Sequence, residues 1–114
     1  MGDCLFCNIV DKQIPAQLVF EDDKVIAFRD IKPQAPTHIL IIPRKHIPTL
    51  SDLAQEDAQV MGHMLMVAKE LAGKEGIDEK GFRVVINCNA DAGQEVFHIH
   101  VHLLGGRLFK WPPG

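Results

Sequence analysis

The 114-residue sequence has no long apolar run, no excess of positive charge and only three cysteines. Each shortage excludes something. Near its motifs the longest purely apolar stretch is Ile39-Leu40-Ile41-Ile42, against the roughly 20 residues a membrane-spanning helix needs. No basic segment followed by a long apolar one is seen, so no secretory signal is read, no membrane partner is expected, and a cytoplasmic location is the default. The net charge of −3 argues against general affinity for nucleic acid, because binding its backbone needs a basic surface. A single nucleotide needs only a local pocket and is compatible with that charge. An odd number of cysteines makes a poor disulfide framework. In a reducing compartment a close pair reads as metal-binding or redox-active.

What is present suits one compact domain over residues 1–114. Hydrophobic residues make up 46% and charged residues 24%, which is globular rather than disordered. Leu5, Phe6, Ile9 and Val10 stand at helical spacing, limited by Pro15, and predict a short helix. "QLVFEDDKVIAFRD" is two apolar runs around Glu21-Asp22-Asp23 and predicts a hairpin. "IKPQAPTH" is a loop, and "HILIIPRKH" a short strand stopped by Pro43, its unbroken apolar run placing it centrally. From about Ser51 to Lys74 a stripe of Val60, Met61, Met64, Leu65, Val67, Ala68, Leu71 and Ala72 predicts one long helix ending near Gly73–Gly76. His63 is expected to be an ordinary polar residue of that helix. "GFRVVINC" and "VFHIHVHLLGG" are strands flanking the polar loop "NADAGQE", and "RLFKWPPG" is a tail. The order implies an α+β domain, an antiparallel sheet with its helices on one side.

The last strand carries the most information. Strand side chains alternate between faces, so His98, His100 and His102 share one face and Phe97, Ile99, Val101 and Leu103 the other. A solvated face usually mixes Thr, Lys, Glu and Ser, so three imidazoles about 7 Å apart at strand rise fit it poorly. Two functions fit better. The strand can supply several ligands to one metal. Alternatively, one imidazole is a nucleophile and its neighbours orient it. The preceding loop, with Gly93, favours phosphorus chemistry, since small residues let backbone N–H groups converge on an anion.

"HIHVHLL" resembles the signature of the histidine triad (HIT) superfamily. "FEDDKVIAFRDIKPQAPTHILIIPRKHI", "GFRVVINCNADAGQEVFHIHVHLLGGR" and "WPPG" are similar to its Hint branch, the nucleoside phosphoramidate hydrolases. The resemblance implies a sheet of about five strands with one long and one short helix, joined to a second copy in a homodimer. It implies hydrolysis of purine nucleoside 5′-monophosphates linked to an amine, through a nucleotidyl-histidine on His100. His102 would contact the phosphate and His38 would orient the reacting groups. Asp30 and Ile31 would meet ribose and base, with Phe20, Ile26 and Ile31 as an apolar slot for the purine. Asn87, Gly93, Gln94 and Glu95 would surround the phosphate, and Trp111 would reach the partner subunit's site. Glu95 departs from the hydroxyl residue of the best-known Hint proteins, and a carboxylate there can favour a cationic amine.

The resemblance also implies a structural zinc on Cys4, Cys7, His46 and His98, as in HIT branches and the related galactose-1-phosphate uridylyltransferases. Four such ligands make a closed tetrahedral site, and no cofactor is needed for the chemistry. Cys88 is assigned no role. The competing expectations are a nucleotide-binding or scaffold protein with little turnover, a hydrolase with zinc on the triad itself, and a dinucleoside polyphosphate hydrolase, against which "WPPG" argues.

Overall fold

The structure, a computed structural model, describes residues 3–114. Helix α1 (Leu5–Val10) opens it, its first turn capped by Cys4, whose sulfur accepts the Cys7 N–H at 3.3 Å. Strands β1 (Leu18–Glu21) and β2 (Val25–Arg29) form the expected hairpin. Its turn is closed by Asp22 Oδ1, which accepts the N–H groups of Lys24 and Val25, each at 2.8 Å. Strand β3 (Thr37–Pro43), helix α2 (Ala58–Lys74), β4 (Phe82–Val85) and β5 (Val101–Gly105) follow. The five strands form one antiparallel sheet in the order β1-β2-β3-β5-β4. Every residue of β3 is buried, as its unbroken apolar run implies for a central strand.

Three differences from the sequence expectation have physical causes. The long helix starts at Ala58, not near Ser51, because two 3-10 turns (Leu50–Asp52 and Gln55–Asp57) intervene. Asp52 accepts the Thr49 N–H at 3.1 Å and its hydroxyl at 2.7 Å, and Asp57 accepts the Ala54 N–H at 2.9 Å. Short acidic side chains offer the backbone these local bonds in competition with the helix. From Ala58 onward the expected stripe holds: Met64, Val67, Ala68, Leu71 and Ala72 are buried, though Leu65 is half exposed. Helix α2 ends at Lys74, with Gly76 at φ +73° just beyond. His63 pairs with Asp22 at 2.7 Å and Arg29 with Glu75 through two 2.9 Å bonds, fastening α2 to the hairpin.

Second, the helices lie on opposite faces of the sheet. Helix α2 covers Val25, Ala27, Ile39, Ile41, Val101 and Leu103. On the other face Phe6 and Ile9 of α1 pack with Ile26, Phe28, Leu40 and Ile42. Strands β2 and β3 are apolar on both faces, so both must be covered. Third, the last strand begins at Val101 rather than Val96. Residues 96–100 run beside the 44–48 segment instead, where the Ile99 N–H donates to the Ile47 carbonyl at 2.7 Å. Phe97, expected in the apolar row, is 49% exposed, whereas Ile99, Val101 and Leu103 are buried. Among the described residues no helix is long and apolar enough to cross a membrane.

Gly105, paired with Thr37 and Phe82, leaves no room for a side chain, since an added Cβ would overlap Ile77. Gly105→Ala is expected to destabilise the protein by about 1–3 kcal/mol through overpacking. The check is the urea unfolding midpoint, and an unchanged midpoint would contradict the packing described.

Candidate functional site

The site lies where β3, β5 and the segment before β5 meet α1. His100 is buried, its ring edge-to-face with Phe6 at 5.1 Å. Its Nδ1 lies 2.8 Å from the His98 carbonyl. A carbonyl only accepts, so Nδ1 carries the proton and Nε2 keeps a free lone pair. Burial pushes the His100 pKa down, against the bond to the His98 carbonyl and the charge of Asp30, which raise it. A buried imidazole that stays neutral, with one nitrogen fixed as donor and the other free, is equipped as a nucleophile.

His38 and His102 share a proton. The Gln34 backbone N–H donates to His38 Nδ1 at 3.0 Å, which makes that nitrogen an acceptor and puts the hydrogen on Nε2. His38 Nε2 then donates to His102 Nδ1 at 2.9 Å, with Asp30 Oδ2 3.4 Å away. His102 Nδ1 is therefore an acceptor, and its Nε2–H is left as a donor. The His102 and His100 rings are 4.9 Å apart between centroids. A chain of three groups thus presents one N–H beside one lone pair.

His98 turns its ring toward Cys4, Cys7 and His46. Its Nε2 donates to the Pro43 carbonyl at 2.8 Å, which frees Nδ1. That Nδ1 is 3.4 Å from Cys4 Sγ, 3.5 Å from Cys7 Sγ and 3.2 Å from His46 Nδ1, and His46 Nδ1 is 3.3 Å from Cys7 Sγ. All four donor atoms lie within 4.8 Å of one another. Sulfur and nitrogen ligands at zinc-like bond lengths in a tetrahedron stand about 3.3–3.8 Å apart, so these residues can hold a metal ion. A carbonyl fixing the far ring nitrogen is the usual support for a histidine ligand. Burial, then the neighbouring Cys4, pushes the Cys7 thiol up to about 11, so a cation here displaces a proton.

Asp30, His38 and His102 also place one donor atom each within 4.8 Å of the others. They fit a metal poorly. The facing nitrogens of His38 and His102 are joined by a proton at 2.9 Å, so neither presents a lone pair to a common centre. The structure gives no support to a metal on the triad.

Other expected residues are placed unevenly. Asp30 sits at the mouth of the relay, its Oδ1 accepting the Lys32 N–H at 2.8 Å. Asn87 is half-buried in the stretch after β4, and Glu95 is exposed beside the Cys4/Cys7 cluster. Trp111 is 81% exposed. Phe20, Ile26 and Ile31, expected as a purine slot, are placed apart. Phe20 packs on the α2 face, Ile26 is fully buried on the α1 face, and Ile31 is 92% exposed, so the three do not form one surface. Gln94 is held by its neighbours. Its carboxamide oxygen accepts the Asn89 N–H at 2.8 Å, and its nitrogen donates to Pro48 and Val96 carbonyls at 2.9 and 3.1 Å. The amide groups of Gly93 and Gln94 donate back to Ala90 and Asn89 carbonyls, so these two N–H groups are spent within the loop rather than aimed at an anion. Phe6 and Phe28, edge-to-face at 5.4 Å, are the apolar wall the sequence reasoning missed. The signal was the pairing of Phe6 with Ile9 on α1 and of Ile26 with Phe28 on β2.

Residues 11–109 match the model of the HIT domain, and the chain belongs to that family. It is 53% identical over 105 residues to the purine nucleoside phosphoramidase of Escherichia coli K12, covering 92% of this chain and 88% of that protein. It is 52% identical over 112 residues to an uncharacterized HIT-like protein of Synechocystis, covering 98% and 97%. The crystal structure of a HIT family hydrolase from Legionella pneumophila superposes with a TM-score of 0.97 at 56% identity, covering 98% of this chain and all of that one.

Burial and neighbouring histidines push His98 and His102 down to about 4. Their folded values lie below the ordinary 6.5, so the unfolded chain takes up protons first. Their stabilisation is fully present above about pH 6.5 and is lost as pH falls toward 4. In metal-free protein the urea midpoint is expected to stay level from pH 8 to 7 and to fall between 6.5 and 4.5. A midpoint that holds or rises on acidification would contradict the burial of neutral imidazoles.

Proposed function

We propose that the protein hydrolyses the P–N bond of purine nucleoside 5′-phosphoramidates through a nucleotidyl-histidine on His100. The observation that carries this is the fixed tautomer of His100, with Nδ1–H held by the His98 carbonyl at 2.8 Å and Nε2 free. The named activity of the E. coli relative supports the substrate class. In the reaction His100 Nε2 attacks the α-phosphorus, an Nε2–P bond forms and the P–N bond to the amine breaks. The departing nitrogen takes up one proton. Water then attacks phosphorus as the Nε2–P bond breaks, its proton returning to solvent for the one the amine took up, and the nucleoside monophosphate leaves with His100 restored. The Nε2–H of His102 meets the phosphoryl oxygens, where charge gathers. His38 holds His102 in the donating tautomer.

Around that centre Asp30 accepts from the ribose hydroxyls and Asn87 donates its amide N–H to the phosphate, with Gly93 giving the intervening loop its turn at φ +78°. Phe6 and Phe28 back the site behind His100, and the exposed Ile31 offers the nucleoside an apolar contact. Glu95 favours a cationic amine as leaving group. The Cys4/Cys7/His46/His98 cluster holds zinc, and when bound the ion fastens α1 to the segment carrying His98 and takes no part in the reaction. The whole chain acts as one HIT domain in a cytoplasmic homodimer. The edge strand β4, with Phe82 and Val84 each 37% exposed, and the exposed Trp111 support pairing with a second copy.

Replacing His100 by Gly is expected to lower turnover of an AMP-amine substrate at least about a thousandfold while AMP still binds. Turnover that survives the substitution would sink the proposal, and a wild-type rate no better than the uncatalysed one would favour a binding protein instead. Chelation of zinc is expected to lower the thermal midpoint by roughly 5 °C or more and to leave kcat of the remaining folded protein nearly unchanged. A kcat that vanishes with the metal in folded protein would place the ion in the chemistry.

A further inference from the structure

The chain of hydrogen bonds that ends at His102 begins outside the histidines, at the backbone of Gln34. Gln34 lies in an exposed turn between Pro33 and Pro36. Its side chain donates to the Lys32 carbonyl, two residues away, at 3.0 Å. The long-range hold on this residue comes from the start of the C-terminal tail. Arg107 Nε donates to the Gln34 carbonyl at 3.1 Å, across 73 residues of sequence. Beside it Gly106, at φ +94°, lies so close to Pro36 that a Cβ would stand 2.8 Å from the Pro36 Cβ.

Arg107 is itself restrained, although exposed. Its guanidinium carbon lies 4.2 Å from the centre of the Phe109 ring, and Arg83 of β4 stacks on the same ring at 5.2 Å. Arg83 Nη2 also donates to the Lys110 carbonyl at 3.2 Å. Contact with one aromatic ring shared by two cations limits the arginine to few rotamers. Its fork is therefore aimed before it meets Gln34. A surface hydrogen bond of this kind adds little to stability. What it does set is the position of a backbone whose N–H decides where a buried proton sits.

We infer that Arg107 is a positioning residue of the histidine relay. By holding the Gln34 carbonyl it fixes the backbone N–H that selects the His38 tautomer, and through His38 it fixes the N–H that His102 presents. The effect on rate rests on the activity proposed above; the effect on the tautomer does not. Lysine in place of Arg107 keeps the charge but loses the planar Nε–H, so a positional role and a purely electrostatic one separate cleanly.

The test is long-range 1H–15N NMR of the imidazole rings, with parallel kinetics on an AMP-amine. In wild-type protein His38 and His102 are each expected to show one tautomer, Nε2–H. In Arg107→Ala, His38 is expected to populate both tautomers, with kcat falling roughly tenfold and KM moving less than about twofold. Arg107→Lys is expected to resemble Arg107→Ala, and Phe109→Ala to lie between it and wild type. Wild-type tautomers and kcat in Arg107→Ala, with only a lower thermal midpoint, would overturn the inference. Full recovery of tautomers and rate in Arg107→Lys would overturn it as well. Should Arg107→Ala fail to fold, Arg107→Lys and Phe109→Ala carry the same comparison. If wild-type protein turns over no phosphoramidate yet the tautomers shift, the proposed activity fails and the positioning role stands.

Discussion

The hydrogen bond from His98 Nε2 to the Pro43 carbonyl, 2.8 Å long and buried, is the constraint on which the site depends. It settles the state of one imidazole and so the direction of two functions. With Nε2 occupied, Nδ1 of His98 turns to Cys4, Cys7 and His46. The same residue's carbonyl then stands where it takes the Nδ1 proton of His100. One residue is thus shared by a metal-competent cluster through its ring and by the candidate nucleophile through its backbone. Pro43 ends the central strand, so this anchor is as rigid as the sheet itself.

The two-sided sheet makes this arrangement stable. Helix α2 supplies the larger core on one face and leaves the other to a helix of six residues. Six residues bury little area, and a short helix is marginal without tertiary support. Cys4 caps that helix and Cys7 lies in its first turn, so a bound ion would hold α1 where Phe6 meets His100. The metal cluster, the apolar wall and the nucleophile are in this sense consecutive layers under one helix. Beyond them the proton relay draws on the opposite end of β5, where the tail begins.

Much of this was legible in the sequence, and the limits are physical. The 3.6 period of α2, the unbroken run of β3 and the alternation of three histidines each report burial by a long pattern; β3, α2 from Ala58 and β5 from Val101 stand where those patterns put them, while the N-terminal ends expected for the helix and the last strand do not. The α1 face was not legible, because four apolar residues on a short helix do not say which side of a sheet they cover. Phe20 and Ile26 were expected in one apolar slot. The bulge in β1 and the pairing of Phe20 with Ala27 put Phe20 on the other face. Gln94, expected beside the phosphate, has its carboxamide bonded to Asn89 in its own loop and to the Pro48 carbonyl. The Gln34 N–H leaves no trace in sequence at all, since every residue but proline has one.

The central claim is that same-face histidines on one segment are divided, with His100 taking the phosphorus and His98 bound to structure. It is tested most directly by mass spectrometry of a rapidly quenched reaction with an AMP-amine, followed by peptide mapping. The account predicts an AMP adduct on His100 alone. An adduct on His98 or His102, or hydrolysis with no adduct at any quench time short enough to trap one, would contradict it.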